Sequence, residues 1–552
     1  MLFSCPPKQA YLCILTLCFF SKMTTSIICL FTGYLPSSSH LLVVPALSLA
    51  SLILFLVFLS TALRRILLNK PNLVKLAPLE WKAYHWPVLG SAIQFYSTRR
   101  DMIMEGTSLS HTGDFGFYIG KKHVISVSSL AGRRTIYENR SLNFPAGFVE
   151  LLAGIPSIGE PAKEQSWHRQ FNKIMCQLTR KEVLARRLPV WFLDIQTACR
   201  EFASQPPVPG SKGWRVINPF DSLYLLVYKL TIRVVGSTDI VDDPEILRRT
   251  LGIFDTFERS SSVLGFVFPW LITGSHLTRL FYGIRLYYLL AGNITKRQTG
   301  QTRKDDALQH LLDQGSSFEE VIKFQMCALW AGVLTTGTVG SWAPILLASH
   351  PHWLAKCQEE IQAVVAKHRA NSTQRTNDVL GTLQFSDWES DFPVMQACLQ
   401  ETLRLVIPGT VFRKNTSGAA IPIGSTGQVV PNGSFLAFLI DHVHMNPSFY
   451  PDPSNFDPGR YLDDASHKTI EPHTFVGFGS GCHPCTGMKV AKLELTMMVV
   501  LFISSFQFEL SDRHGTPTSD KPPLPDRNNH KAKRTGKPCY LRVRLRNQIG
   551  FM

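Results

Sequence analysis

The stretch that most constrains this chain lies near its C-terminus and reads Phe478-Gly-Ser-Gly-Cys482-His483-Pro-Cys485-Thr-Gly487. Its three glycines let a backbone turn tightly and approach a flat partner closely. Three readings compete. Cys482 and Cys485 could form a redox pair or half of a zinc site. Zinc needs four ligands, though, and no second CxxC or HxxxH lies at finger spacing. A thioredoxin-like pair belongs early in a βαβ unit, not at the end of a helical chain. Covalent c-type haem attachment needs His directly after the second Cys, and Thr486 stands there. The second reading is a plain Gly-rich turn. The third is a thiolate loop in which Cys485 holds haem iron. Val490–Phe502 reads as an apolar helix, so Cys485 would lie just before a helix N-terminus. Amide N–H groups and the helix dipole there favour an anion.

The rest of the chain is patterned mainly for helix. A period of 3.6 runs through 164–178, 318–349, 351–368 and 393–406. Ser317 and Glu320 form a capping-box signature before the second of these. Pro393 marks the start of the fourth. Short β-like runs fall at 124–127, 428–431, 435–439 and 540–545. The expected fold is mainly α with minor β-sheets.

Leu41–Leu63 is an uncharged apolar run of twenty-three residues. At about 1.5 Å per residue it matches a bilayer core of roughly 30 Å. Arg64, Arg65 and Lys70 follow, so the positive-inside rule puts the remainder in the cytosol. Residues 10–31 form a weaker apolar stretch broken by Lys22. They read either as a second span or as an extension upstream of a true start at Met23. Pro71, Pro78, Pro87 and Gly90 punctuate 64–91, the signature of a stiff linker. The expected organisation is an N-terminal extension (1–40), a transmembrane anchor (41–63), a linker (64–91) and one large domain (92–552). The net charge is +16, which by itself admits nucleic acid, anionic lipid or an acidic protein as partner. Twelve scattered cysteines fit a reducing compartment. The sequons at Asn139, Asn293, Asn371, Asn415 and Asn432 would then stay unmodified.

Phe478–Gly487 resembles the haem-binding loop of the cytochrome P450 family, F-G-x-G-x-R/H-x-C-x-G. Three further motifs follow the family's order. Glu401-Thr-Leu-Arg404 resembles E-x-x-R, and residues three apart on a helix can pair. Phe456-Asp-Pro-Gly-Arg460-Tyr resembles P-x-R-F. Ala331-Gly332-Val-Leu334-Thr335-Thr336 resembles A-G-x-D/E-T-T/S. The resemblance implies a P450 fold carrying haem b, with Cys485 on the iron and Phe478 and His483 at the cofactor. Glu401, Arg404 and Arg460 would form a buried network behind the haem. Gly332 would leave room above the iron, in a helix that opens locally there, and Thr335 would hydrogen-bond dioxygen. Arg413 and Trp167 would meet the propionates. Pro344 should bend this helix, with Gly340 easing the clash.

Two departures stand out. Leu334 occupies the acidic position, which makes a peroxide isomerase or dehydratase an alternative to an oxygenase. In Trp167-His-Arg169-Gln-Phe171 the family's W-x-x-x-R ends on Phe171, leaving Arg169 or Lys173 as substitutes. A non-catalytic haem-binding protein is a further alternative.

The walls 144–161, 259–271, 329–336 and 406–412 are apolar, which implies a lipophilic substrate. Leu264–Leu271 is apolar enough to dip into a bilayer. No G-x-G-x-x-G fingerprint after a strand is present, so no flavin domain is fused. The resemblance implies an NADPH–cytochrome P450 reductase, with cytochrome b5 as a second donor, at the endoplasmic reticulum membrane. It suggests fungal secondary metabolism, with terpenoids or sterols as substrates. Lys489, Lys492, Lys531, Lys533 and Arg534 are candidate docking residues. Nucleic acid is not an expected partner.

Overall fold

The computed structural model describes residues 81, 84–86, 88–151, 161–268, 272–300, 303–462, 471–529 and 538–546. The anchor 41–63, the extension 1–40, most of the linker, and Lys531, Lys533 and Arg534 lie outside the described residues.

The helices that shape the site are, in chain order, α1 (Leu130–Glu138), α2 (Phe144–Leu151), α3 (Pro161–Leu178), α4 (Pro219–Val235), α5 (Phe318–Ser349), α6 (Pro351–His368), α7 (Pro393–Val406) and α8 (Met488–Ser505). The bounds of α5, α6 and α7 coincide with the periodic segments of the sequence, and the reason is local. Ser317 Oγ accepts from Glu320 N–H at 3.3 Å while Glu320 returns the bond to Ser317 N–H at 2.9 Å. This reciprocal cap satisfies two donors that the first turn of a helix leaves orphaned. Pro351 and Pro393 open the other two, where a missing N–H costs nothing.

The strands are short: β1 (Phe115–Ile119), β2 (Lys122–Ser126), β3 (Leu142–Asn143), β4 (Arg215–Ile217), β5 (Thr410–Asn415), β6 (Ile421–Pro422), β7 (Val429–Val430), β8 (Phe435–Leu439), β9 (Gly479–Ser480), β10 (His483–Pro484), β11 (Phe506–Ser511) and β12 (Tyr540–Leu545). One sheet runs β1-β2-β8-β5-β3, a second β11-β12-β4, and two are two-stranded ribbons. β8 and β12 match the sequence reading. The run at 124–127 is shifted to 122–126, and that at 428–431 shrinks to two residues. β8 is buried along its whole length because both faces of the larger sheet are covered. Phe435 and Leu439 enter one apolar cluster, and Leu436 and Phe438 another, as a period of two requires. Asn415 is buried and its amide donates to Val430 O at 2.9 Å, so its sequon is closed to modification in the fold.

The main core gathers α4, α5, α7 and α8. Among the described residues α5 is the one helix long and apolar enough to cross a membrane, yet 72% of its most apolar stretch is buried in protein. It therefore reads as a core helix. It packs on α4 through small residues. A Cβ on Gly337 would fall 2.7 Å from the Tyr224 ring, and one on Gly340 would fall 2.9 Å from Val227 and Met498. Gly340 thus serves a three-helix junction and not only the neighbouring Pro344. The helix continues through Pro344 and stays α-helical past Thr335, without the local opening expected there.

Candidate haem-binding site

The cysteine loop is a two-residue ribbon followed directly by α8. His483 pairs with Ser480 and Pro484 with Gly479. Gly479 and Gly481 adopt φ of +67° and +60°, the left-handed region that glycine enters without strain. A Cβ on Gly481 would fall 2.1 Å from Tyr137 O, at the end of α1. The loop is therefore pressed on α1, and Cys482 N–H donates to that same carbonyl at 2.7 Å. The Cys482 thiol donates to Glu138 O at 3.0 Å, which removes it from any pairing with Cys485.

Cys485 N–H donates to Phe478 O at 2.7 Å, closing the turn. The Cys485 side chain is exposed within a concavity. Burial by the surrounding protein raises its thiol pKa, while the Gly487 N–H works in the opposite direction. The helix start alone does not win that contest, contrary to the simple expectation. A coordinating cation deprotonates a thiol outright, and that is the force the site needs. Phe478 lines a cleft with Thr335 and Thr336 of α5, Leu399 and Leu403 of α7, and Ala491 of α8. The cysteine loop and the Thr335 segment therefore meet.

Gly332 does not face this cleft. Its missing Cβ points to Thr231 of α4, 2.9 Å away, so it permits close helix packing there. Ala331 is exposed and lies four residues before Thr335, on the same face. Leu334 packs against the main core and presents no acid.

Behind the loop, Glu401 and Arg404 are fully buried and paired twice, at 2.8 and 2.7 Å. Arg460 Nε approaches Glu401 Oε1 at 3.4 Å, and Asp457 N–H donates to the same oxygen at 3.1 Å. Arg404 also donates to His444 O and lies 4.8 Å over the Tyr450 ring. The Glu401 bonds hold the Arg404 pKa above its usual value in spite of burial, the largest influence, which acts the other way. His444 Nε2 accepts from Val476 N–H at 3.0 Å, just before the loop. Burial keeps His444 neutral, its pKa far below the usual value. Its sequence, Asp-His-Val-His, carries no signal of this role.

The third cluster is cationic. Arg413 of β5 lies 4.8 Å over the Phe144 ring, and the His483 ring stacks on that phenyl at 5.7 Å. Gly147 brings α2 against β5, since a Cβ there would fall 2.6 Å from Arg413 Cα. Arg413 Nε, His483 Nε2 and Tyr137 Oη are buried without hydrogen-bond partners. Burial pulls Arg413 down to about 10; burial, with help from Arg413 and His168, pulls His483 down to about 4. A buried guanidinium beside orphaned neutral hydrogen-bonding groups fits an anionic guest such as the haem propionates.

Trp167 is turned elsewhere. It lies 4.6 Å under Lys323 Nζ and bonds the Cys327 thiol, both on α5. Phe171 packs against Phe324 of α5 with the rings tilted, centroids 5.4 Å apart. Arg169 and Lys173 lie on the exposed face of α3. None of these four reaches the cationic cluster. His168, which sequence reasoning passed over, lies 5.3 Å from Phe144.

Comparison with known proteins agrees with this geometry. The family described as cytochrome P450 matches residues 83–533. Cytochrome P450 monooxygenase AacuE of Aspergillus aculeatus is 31% identical over 445 residues, covering 78% of this chain and 86% of its own. Cytochrome P450 monooxygenase nsrP of Aspergillus novofumigatus is 27% identical over 447 residues, covering 80% and 82%. The structure of a retinoic acid-bound cyanobacterial P450, CYP120A1, superposes with a TM-score of 0.63 at 21% identity, covering 85% of this chain and 99% of its own, and shows the fold. Motif order, fold and relatives converge: the chain belongs to the cytochrome P450 family of haem-thiolate monooxygenases, whose cofactor is haem b.

Proposed function

We propose that this chain oxidises a lipophilic small molecule, by hydroxylation or epoxidation of a terpenoid, sterol or other secondary metabolite. Electrons would come from NADPH through a membrane-bound reductase, and residues 41–63 would anchor the enzyme in the endoplasmic reticulum. The observation that carries the catalytic reading is the set of orphaned buried donors, Arg413 Nε and His483 Nε2, flanking the glycine hairpin of Cys485. Bound there, haem supplies dioxygen activation, and thiolate ligation favours O–O cleavage by pushing electron density toward iron.

The chain's own residues do the rest. Cys485 is held by backbone bonds and supplies the thiolate. Thr335 Oγ1 can hold a water or pass a proton at the cleft, and Leu334 contributes no acid to that route. Leu399, Leu403 and Phe478 keep the cleft apolar. Leu264, Ile272, Leu277, Leu280 and Phe281 are exposed, which supports entry of an apolar substrate from a bilayer. Lys489 and Lys492 are exposed beside the loop and suit an acidic electron donor.

The reduced enzyme under carbon monoxide should give the Soret band of a thiolate-ligated haem. Cys485→Ala should lose it, and a variant that kept the band would overturn the axial assignment. Turnover of a lipophile should require both NADPH and O₂. Conversion of a peroxide without either would favour the isomerase or dehydratase alternative.

A further inference from the structure

Three groups able to carry positive charge surround one phenyl ring. Arg413 comes from β5, His483 from β10 and His168 from α3, all against Phe144. Among the described residues none of the three is paired with a carboxylate. The three side chains are brought to the same ring from three different elements, Arg413 at 4.8 Å, His168 at 5.3 Å and His483 at 5.7 Å. A buried guanidinium and two imidazoles gathered without a carboxylate form a set of donors suited to an anion. The residues that the W-x-x-x-R pattern nominates do not serve this anion. Trp167 faces Lys323 and Cys327, Phe171 is packed on Phe324, and Arg169 and Lys173 point outward.

We infer that His168, one position along α3 from the expected tryptophan, is the α3 residue that anchors the haem carboxylates together with Arg413 and His483. The inference rests on the haem reading above and deepens it. Helix geometry explains the register. Residues 168 and 172 lie four apart on one half-buried face, while 169 and 173 share the adjacent, solvent-exposed one, about 100° further round. Asn172 Nδ2 stands 3.1 Å from His168 Nε2. With that amide donating, the imidazole keeps its proton on Nδ1, free to donate to an anion. Asn172 is thus a positioning residue at the place of the family's arginine, counted from His168.

The test uses the full chain, reconstituted either with haem or with haem dimethyl ester, whose propionates carry no charge. Transfer of the cofactor to excess apomyoglobin is followed for the parent, His168→Ala, His168→Arg and Trp167→Phe. With haem, His168→Ala should lose cofactor about tenfold faster, equivalent to ~1.4 kcal/mol. His168→Arg should restore the parent rate, and Trp167→Phe should stay within about twofold of it. With the ester, parent and His168→Ala should lose cofactor at the same rate. Equal rates with haem would overturn the inference. So would a gap of the same size with the ester, since that would mean packing and not charge. A parent that shows the carbon monoxide Soret band while His168→Ala behaves like it sinks this inference alone. A parent that takes up no haem sinks the haem reading as well.

Discussion

The molecule buries charge in two regions, and they are built in opposite ways. Behind the cysteine loop, Glu401 and Arg404 pair with Arg460 Nε 3.4 Å away, and carbonyls of the chain take further Arg404 donors. Around Phe144, Arg413, His483 and His168 face each other with no carboxylate among them. In the first region the buried Arg404 charge meets a carboxylate of the chain. The second is complete only with an anionic guest. Buried charge therefore stabilises this fold in one place and prepares it for a ligand in the other.

The sharpest break between them is a pair of substitutions. Glu401→Gln leaves Arg404 buried without its counter-charge and should cost about 3–5 kcal/mol. Thermal unfolding should fall steeply and the purified protein should lack a Soret band. A variant of parental stability would remove the contrast. Arg413→Met should do the reverse. It deletes a buried cation that has no anionic partner, so the haem-free protein should unfold in urea no earlier than the parent. Haem affinity should nonetheless fall by about tenfold or more, the loss of one charge-assisted contact at ~1.4 kcal/mol. Destabilisation of the haem-free protein as large as that of Glu401→Gln would show both regions to be structural.

The smallest effect is a pH dependence. His444 is neutral in the fold because burial depresses its pKa far below the unfolded value of about 6.5. A base with a depressed folded pKa contributes stability above that unfolded value. The contribution is lost as pH falls below it, because the unfolded chain then binds the extra proton. The urea midpoint should therefore drop between pH 7 and pH 5, and His444→Gln should flatten part of that drop. An unchanged slope would remove His444 from the network.

Much of this was legible in the sequence wherever the signal is local. Ser317, Glu320, Pro351 and Pro393 announce helix starts because capping chemistry acts within four residues. The Cys485 loop and the Glu401–Arg404 spacing announce themselves because glycine placement and the helical repeat are also local. The failures were of facing. Trp167 and His168 are adjacent in sequence, and only the packing of α3 on α5 decides which one looks at Arg413. Gly332 read as space for a ligand, and its further contact with Thr231 of α4 depends on a packing that no spacing rule announces. His444 and Tyr450 joined the Arg404 network through contacts some forty residues away, with no spacing rule to reveal them.

The close seat of Gly481 on the Tyr137 carbonyl has a consequence for engineering. The sulfur of Cys485 is positioned by main-chain clamps, from α1 on one side and Phe478 O on the other. The Ser480 and Cys482 side chains add supports of their own, to His473 and to Glu138 O, and Pro484 adds none. Pro484 is therefore the handle for adjusting the electronics around the thiolate, whereas the glycine between the other two has no room for a side chain.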